Sequence, residues 1–414
     1  MDQTLLVKNV VSTARTIKTF GIPIVHSTVN VATGRGGPTL PELAELLTDD
    51  KPLDRTSVNS WEDLEFVQGR PRHQPAPPRD PGPGRPAVPR PGASAHRPSQ
   101  DRKWRSIMRA AVVRRSGAAP ALDQFADPQP GEGVAVATLV AAALNPLDIA
   151  IVDDQIPFRR LEPPYIAGYE AVVQLGDGTR CYLGGPPAPY GALAELVPVP
   201  DSAGFPVPAD LDPGLAAALG VAGLAGWVAL DYHGHLQPGE TVLVLGAGGA
   251  AGQLAVQSAR VLGAGRVVGA ARGQAADRGA DAVVDLAYDQ AIDAGLAAAA
   301  PGGYDVIVDF LWGVSAPYAM NHANLGARYI QVGSSAGPMS TISAPVVRNK
   351  VLTLVGQGMA AAPAEVRRAA YAHMVRHAAD GQITLDLEQT RLADISQTWE
   401  HLKTGPSRKL VVTP

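Results

Sequence analysis

Four glycines, Gly246, Gly248, Gly249 and Gly252, fall within seven residues of this 414-residue chain. Their spacing suits one kind of chemistry. Bare backbone lets a pyrophosphate come close, and the first turn of a following helix, here Ala250, Ala251 and Gly252, offers it free N–H groups. Such a turn works only between a buried strand and a helix. Both are present: an apolar run at residues 242–245, an amphipathic stretch at 253–262, and a second apolar strand at 266–270. The other reading of the glycines is a tight strand-to-helix turn that holds nothing. The second strand ends Gly269-Ala270-Ala271-Arg272, with no acid to take a ribose 2′-hydroxyl. Arg272 suits a 2′-phosphate, which favours NADPH over NADH. Its alternative is an ordinary solvated loop cation.

The surrounding elements follow from periodicity. Past residue 272, strands are expected at 281–285, 304–309, 327–332 and 351–355, with a helix from residue 290. Strands alternating with helices argue a parallel, doubly wound sheet whose strand ends share one rim. Gly333 follows the fifth strand there. Before the glycine turn the text differs. A strand near 109–113, two short apolar runs in 131–144 and a Gly176-Asp177-Gly178 hairpin turn argue a β-rich domain to about residue 208. Alanine- and leucine-rich helical text starts at Pro213. A helix at 365–381 and a last strand at 410–412 are expected to return to the β-rich domain.

Several motifs together resemble the medium-chain dehydrogenase/reductase superfamily, in its quinone oxidoreductase-like branch. They are NPLD at Asn145, GYE at Gly168, YGALAEL at Tyr190, GLAGW at Gly223, LGAGGAAG at Leu245, GARYIQVG at Gly326 and RKLVV at Arg408. The resemblance spans residues 108–414. It implies an α/β fold in which a Rossmann sheet is inserted in a GroES-like β-rich domain, with the cofactor in the cleft between them. The turn spacing at Gly246, Gly249 and Gly252 fits that branch, and Gly333 stands where relatives let backbone meet the nicotinamide. Zinc-dependent members use a cysteine and the histidine of Gly-His-Glu where this chain has Asn145 and Tyr169. Neither is a normal zinc ligand, so no metal is expected. Without a Lewis acid, hydride transfer is easiest to an acceptor already electrophilic, a quinone or an α,β-unsaturated carbonyl. The resemblance thus implies an NADPH-dependent reductase, a homodimer acting on a small electrophilic molecule. The alternatives are a dehydrogenase of another small alcohol or carbonyl, and a nucleotide-binding protein without turnover.

Several polar side chains near these motifs each suit two roles. Asn145 either hydrogen-bonds the acceptor or nicotinamide ribose, or caps the turn before Pro146. Tyr169 either donates to the nascent enolate or packs against the cleft wall. Asp148 and Glu170 are expected to hold loops together. Lys409 is either structural or near the cofactor.

The first 68 residues differ again. The stretches VNVATGRGGPTLPELAELL and DRTSVNSWEDLEF resemble isochorismatase-like cysteine hydrolases. Arg55 stands near that family's basic position. The family's nucleophilic cysteine would fall beyond the resemblance, and the sole cysteine, Cys181, sits in other surroundings. No hydrolase activity is therefore expected, and an internal disulfide is excluded. Ten prolines and eight arginines crowd residues 70–105, the composition of a disordered spacer. The order of these pieces suggests a fused or frame-shifted upstream segment. The domains expected are 1–69 (partial isochorismatase-like fragment), 70–105 (linker), 106–212 (GroES-like, first part), 213–345 (Rossmann) and 346–414 (return to the GroES-like domain). A net charge of -4 gives no reason to expect nucleic acid or an anionic membrane. No secretory signal or apolar stretch of membrane-spanning length is read, so a cytoplasmic location is expected.

Overall fold

The computed structural model describes residues 27–29, 53–55, 106–156, 159–272, 279–358 and 362–414. Two compact units divide the chain, Met1–Pro98 and Ser99–Pro414. In the first, β1 (Ser27–Val29) pairs in parallel with β2 (Leu53–Arg55), Ser27 opposite Leu53. The sequence also reads as helical at 9–20 and 41–47 and as a short strand at 22–26; these stretches and the linker at 70–105 lie outside the described residues.

The second unit opens with a β-rich half. It contains β3 (Ile107–Val113), β4 (Ala121–Ala126), β5 (Val134–Ala143), α1 (Pro146–Val152), β6 (Tyr165–Ile166), β7 (Glu170–Gln174), β8 (Arg180–Gly184), β9 (Leu196–Pro200) and β10 (Phe205–Pro206). The two apolar runs expected in 131–144 are one ten-residue strand. They pair with different neighbours: β9 lies against Val134–Thr138 and β7 against Thr138–Ala143, with a register shift between Leu139 and Ala141. A bulge of this kind bends a strand without ending it.

A long helix follows, α2 (Pro213–Ala218), a π-helical turn Leu219–Gly223, α3 (Leu224–Val228) and a second π turn Ala229–His233. Contrary to expectation, Pro213–His233 is long and apolar enough to cross a membrane by length and composition. Most of it is buried inside the unit, as a core helix of a folded domain would be.

Next come β11 (Thr241–Leu245), α4 (Ala250–Val261), β12 (Arg266–Ala271), β13 (Ala282–Asp285), α5 (Asp289–Ala299), β14 (Tyr304–Asp309), α6 (Ser315–Asn321), β15 (Ala323–Gln331), α7 (Ala344–Asn349) and β16 (Thr353–Gly356). Their six strands pair in parallel in the order β13-β12-β11-β14-β15-β16. Numbered along the chain, that is 3-2-1-4-5-6, the doubly wound order. Both faces of the sheet are covered, so its strands read as continuous apolar runs. Leu243, Leu245 and Ile307 pack on one face with Leu296 and Met320, while Val242, Val244 and Val308 pack on the other with Val256 and Ala259. Strand β15 starts four residues earlier than expected, because Ala323 pairs with Tyr304 across a register irregularity.

The chain then crosses α8 (Ala364–Ala379) and returns as β17 (Leu387–Arg391), α9 (Ile395–Lys403) and β18 (Lys409–Thr413). Tyr371, Met374, Val375 and Ala378, spaced to share one helical face, meet Leu219 and Trp227 of the long helix. Strand β18 inserts between β5 and β17, antiparallel to the first and parallel to the second. The parallel sheet is thus an insertion in the β-rich domain.

Candidate active site

At the carboxyl end of β11 the backbone turns sharply. Gly246 takes a left-handed φ of +91°, and its N–H donates to the Ala270 carbonyl at 2.8 Å. Gly252 sits in the first turn of α4, where a Cβ would lie 2.1 Å from the Gly246 oxygen. These two glycines are required by the turn itself. Gly249 is different. It is the N-cap of α4 with φ -80°, and a Cβ there would meet nothing nearer than 3.7 Å. Nothing in the fold demands glycine at 249, and its open side is where an anion would approach. No side chain caps α4, so the N–H groups of Ala250, Ala251 and Gly252 have no intrahelical acceptor. Beneath the turn, buried Gln253 donates through Nε2 to the Gly248 carbonyl at 2.8 Å, while its Oε1 has no partner. A bare cradle of N–H groups beside an orphaned acceptor fits a phosphate and a ribose hydroxyl. Arg272, exposed, follows β12 directly. Gly333 follows β15 on the same rim, and a Cβ on it would lie 2.7 Å from the Phe310 oxygen. The glycine there lets the loops after β14 and β15 touch.

Asp309, at the end of β14, organises those loops, and the sequence reading missed it. Its Oδ1 accepts from the N–H groups of Leu311 (2.7 Å) and Trp312 (2.9 Å), and its Oδ2 accepts from the Tyr329 hydroxyl at 2.5 Å. Burial raises the Asp309 pKa against these three donors. The clamp holds Trp312 at φ +57°, a region that costs a bulky residue about 1–3 kcal/mol. Trp312 lines a cavity of ≈ 400 Å³ with Gln331, Ser334, Pro338, Leu354 and Gly356. That cavity does not include Asn145 or Tyr169. An acid ending a strand just before a sharp turn was the available sequence signal.

Asn145 and Tyr169 belong to a second, buried cluster. The Asp148 carboxylate joins them, accepting from the Asn145 N–H (2.7 Å) and the Tyr169 N–H (2.8 Å). The Asn145 side chain is spent at both ends. Its Oδ1 accepts from Lys409 Nζ at 2.5 Å, and its Nδ2 donates to Glu170 Oε1 at 2.7 Å. Glu170 lies 4.0 Å from Lys409 Nζ and accepts at Oε2 from the Tyr182 hydroxyl (2.9 Å) and the Val221 N–H (2.5 Å). All four of Asn145, Asp148, Glu170 and Lys409 are at most 5 % exposed. Burial raises Glu170 to about 7 and Asp148 to about 6, with Lys409 pulling both down. Burial likewise lowers Lys409. The Tyr169 ring rests on Gly184 and Gly185 under the Arg159 guanidinium, 5.3 Å from its centroid. Burial raises the phenol pKa, with Arg159 opposing, so Tyr169 keeps its proton at neutral pH.

This donor set does not fit a zinc ion. Asn145 Oδ1 already faces an ammonium, Tyr169 is a neutral phenol, and among the described residues no three His, Cys, Asp or Glu side chains converge.

A six-stranded 3-2-1-4-5-6 sheet with a bare glycine turn, inserted in a β-rich domain that carries a buried polar cluster, has the architecture of a medium-chain dehydrogenase/reductase. Residues 250–376 match the family described as "Zinc-binding dehydrogenase". A "Probable quinone oxidoreductase" of Leishmania amazonensis is 33 % identical over 132 residues, 30 % of this chain and 38 % of that protein. "Prostaglandin reductase-3" of Mus musculus is 32 % identical over 141 residues, 32 % of this chain and 37 % of that protein. The matched stretches therefore span under two fifths of these curated relatives. The solved quinone oxidoreductase of Thermus thermophilus is similar over 74 % of this chain and all of its own length, with a TM-score of 0.62 and 27 % identity. A mycobacterial quinone oxidoreductase superposes with a TM-score of 0.66 at 21 % identity, over 74 % of this chain and 100 % of its own. Together these likenesses support a quinone oxidoreductase-like segment of the medium-chain dehydrogenase/reductase superfamily within this chain.

Proposed function

We propose that this chain is a zinc-independent, NADPH-dependent reductase of quinones or α,β-unsaturated carbonyls. The observation that carries the reading is the uncapped first turn of α4 beside Gly249, open where a dinucleotide phosphate would sit. When bound, the nicotinamide would supply a hydride. The chain's own part is to hold and orient. Ala250 and Ala251 would bind the pyrophosphate through their N–H groups, Arg272 the 2′-phosphate, and Gly333 would give the ring room. Neutral Tyr169 is suited to donate a hydrogen bond or proton to the acceptor's oxygen. The polar cluster's donors are spent on one another, which favours acceptors that need no metal. The relatives' names, quinone oxidoreductase and prostaglandin reductase, support the same acceptor class.

NADPH oxidation followed with a panel of quinones and enones tests this reading. Turnover is expected with both classes, NADPH being preferred over NADH. Tight NADPH binding with no turnover on any acceptor would instead favour a binding protein without catalysis. In the same assay Arg272→Ala should weaken NADPH by about 10- to 100-fold, the worth of one or two charge-assisted hydrogen bonds. NADH should be unaffected. An equal effect on both cofactors, or none, returns Arg272 to the status of a solvated cation.

The same reading makes the chain a cytoplasmic homodimer. Strand β16 is the sheet's outer edge, with Leu354 47 % exposed and Val351 beside it 63 % exposed, and no residue of α7 is buried. An open parallel edge with apolar residues is a surface a second copy can cover. Sedimentation should give twice the 42.9 kDa chain mass, and Leu354→Glu should give the single mass. A wild-type monomer would remove the dimer from the proposal.

A further inference from the structure

Glu170 reaches out of the β-rich domain in a way that the hydride-transfer reading does not use. Its Oε2 accepts the Val221 N–H at 2.5 Å, inside the π-helical turn Leu219–Gly223. That turn is shaped around the carboxylate. A Cβ on Gly220 would lie 2.2 Å from Glu170 Oε2 and 2.1 Å from the Tyr182 ring, so only glycine lets the helix come this close. A π turn frees backbone groups from the regular helical ladder, and such turns recur at functional sites. Leu219 and Ala222 of the turn belong to the same packed cluster as Leu254 of α4, and Ala250 and Ala251, the first turn of α4, pack on it. One turn further on, Gly226 presses against Ala255, where a Cβ would lie 2.7 Å from the alanine methyl. A continuous path of tight contacts therefore runs from the Glu170 carboxylate through the π turn to the helix that carries the glycine cradle.

We propose that Glu170 is a positioning residue that fixes the first turn of α4 for the dinucleotide, by holding the Leu219–Gly223 turn to the polar core of the β-rich domain. The inference rests on the dinucleotide reading of the cradle. Lys409 of β18, Asp148 of α1, Tyr182 of β8, Tyr371 of α8 and the neighbouring Tyr169 are the titratable groups around Glu170. Asn145 and Lys409 anchor its inner oxygen, and the outer oxygen is shared by the Tyr182 hydroxyl and the turn.

Glu170→Asp keeps the charge and withdraws the carboxylate by one methylene, while Glu170→Gln keeps the reach and removes the charge. In the full chain, Asp should raise the NADPH dissociation constant about tenfold, the worth of one hydrogen bond to a charged group. Gln can still accept from Val221 through its oxygen, although its NH2 then faces the Asn145 amide donor, so it should lose less affinity than Asp. Acceptor KM at saturating NADPH should be unchanged in both. Hydrogen exchange of the cofactor-free chain gives a readout without NADPH: amides in 219–228 and 250–255 should exchange faster in Glu170→Asp, and those of β11 and β14 should not. Wild-type affinity and exchange in Glu170→Asp would overturn the proposal, as would equal losses in Asp and Gln. If wild type binds no NADPH but the exchange pattern holds, the cofactor reading has failed and the positioning role stands.

Discussion

Gly249→Val should abolish the proposed dinucleotide binding and leave the fold intact. The two halves of that expectation have separate causes. The valine side chain has space, since the Cβ position meets nothing nearer than 3.7 Å, and the backbone is in the extended region that β-branched residues favour. Replacing glycine reduces the entropy of the unfolded chain, whereas valine is a poorer N-cap than glycine; the two effects oppose, and stability should change by no more than about 1 kcal/mol. In the proposed reading that space is the approach path of the phosphate. A branched side chain there pushes the anion off the Ala250 and Ala251 N–H groups. Losing two charge-assisted hydrogen bonds of about 1.5 kcal/mol or more each weakens binding on the order of 100-fold or beyond. Calorimetric titration with NADPH and a thermal melt of the same preparation decide the matter. Wild-type affinity in Gly249→Val would mean that the cradle holds nothing. Gly252→Ala makes the opposite contrast, because its Cβ would strike the Gly246 oxygen and the turn itself must give way.

Lys409→Met should be the most destabilising single change in the polar cluster. The methionine fills nearly the same volume, yet it strands Glu170 and Asp148 as two buried carboxyls without a cation. Breaking a buried pair from one side costs about 3–5 kcal/mol. The sign of the pH dependence follows from the folded-state values. Glu170 is raised from 4.5 to about 7 and Asp148 from 3.8 to about 6. Between the unfolded and folded values, the folded chain binds more protons. The contribution of each group is thus complete below its unfolded pKa and is lost as pH rises through its folded one. Lys409 lowers both values, so its removal moves them higher. The deficit of Lys409→Met should therefore be large at pH 8 and should shrink toward pH 5, where both carboxyls are protonated. Urea unfolding at the two pH values measures it. An equal deficit at both would assign the lysine a packing role alone.

The parallel sheet is legible in the sequence because burial on both faces writes each strand as a plain apolar run, and residues 304–309 form the strand expected of them. Local signals also mark the glycine turn. They do not separate its members: Gly246 and Gly252 serve the turn, and Gly249 faces open space. The π turn Leu219–Gly223 leaves no trace in the sequence, and the tertiary bond that its Val221 N–H donates to the Glu170 carboxylate is visible only in space. Asn145 and Tyr169 stand out for the chemistry of their side chains. Their joining by Asp148, and the pairing of Asn145 with a lysine 264 residues away, can be found only in space. Asp309 reads as no more than the end of a strand, though the clamp on Trp312 depends on it.

Strand β18 lies between β5 and β17, and the chain reaches it only after the entire parallel sheet. On a ribosome, the stretch from Asn145 to Lys409 takes on the order of 10–50 seconds to synthesise. Late in that interval, once the strand ending at Gly356 is made, the inserted sheet can close, while β5 still shows the cell an unfilled edge and Asp148 and Glu170 await their counter-ion. The newborn chain is then a finished parallel sheet tethered to a half-built β-rich domain, and that is the form a chaperone or protease meets first.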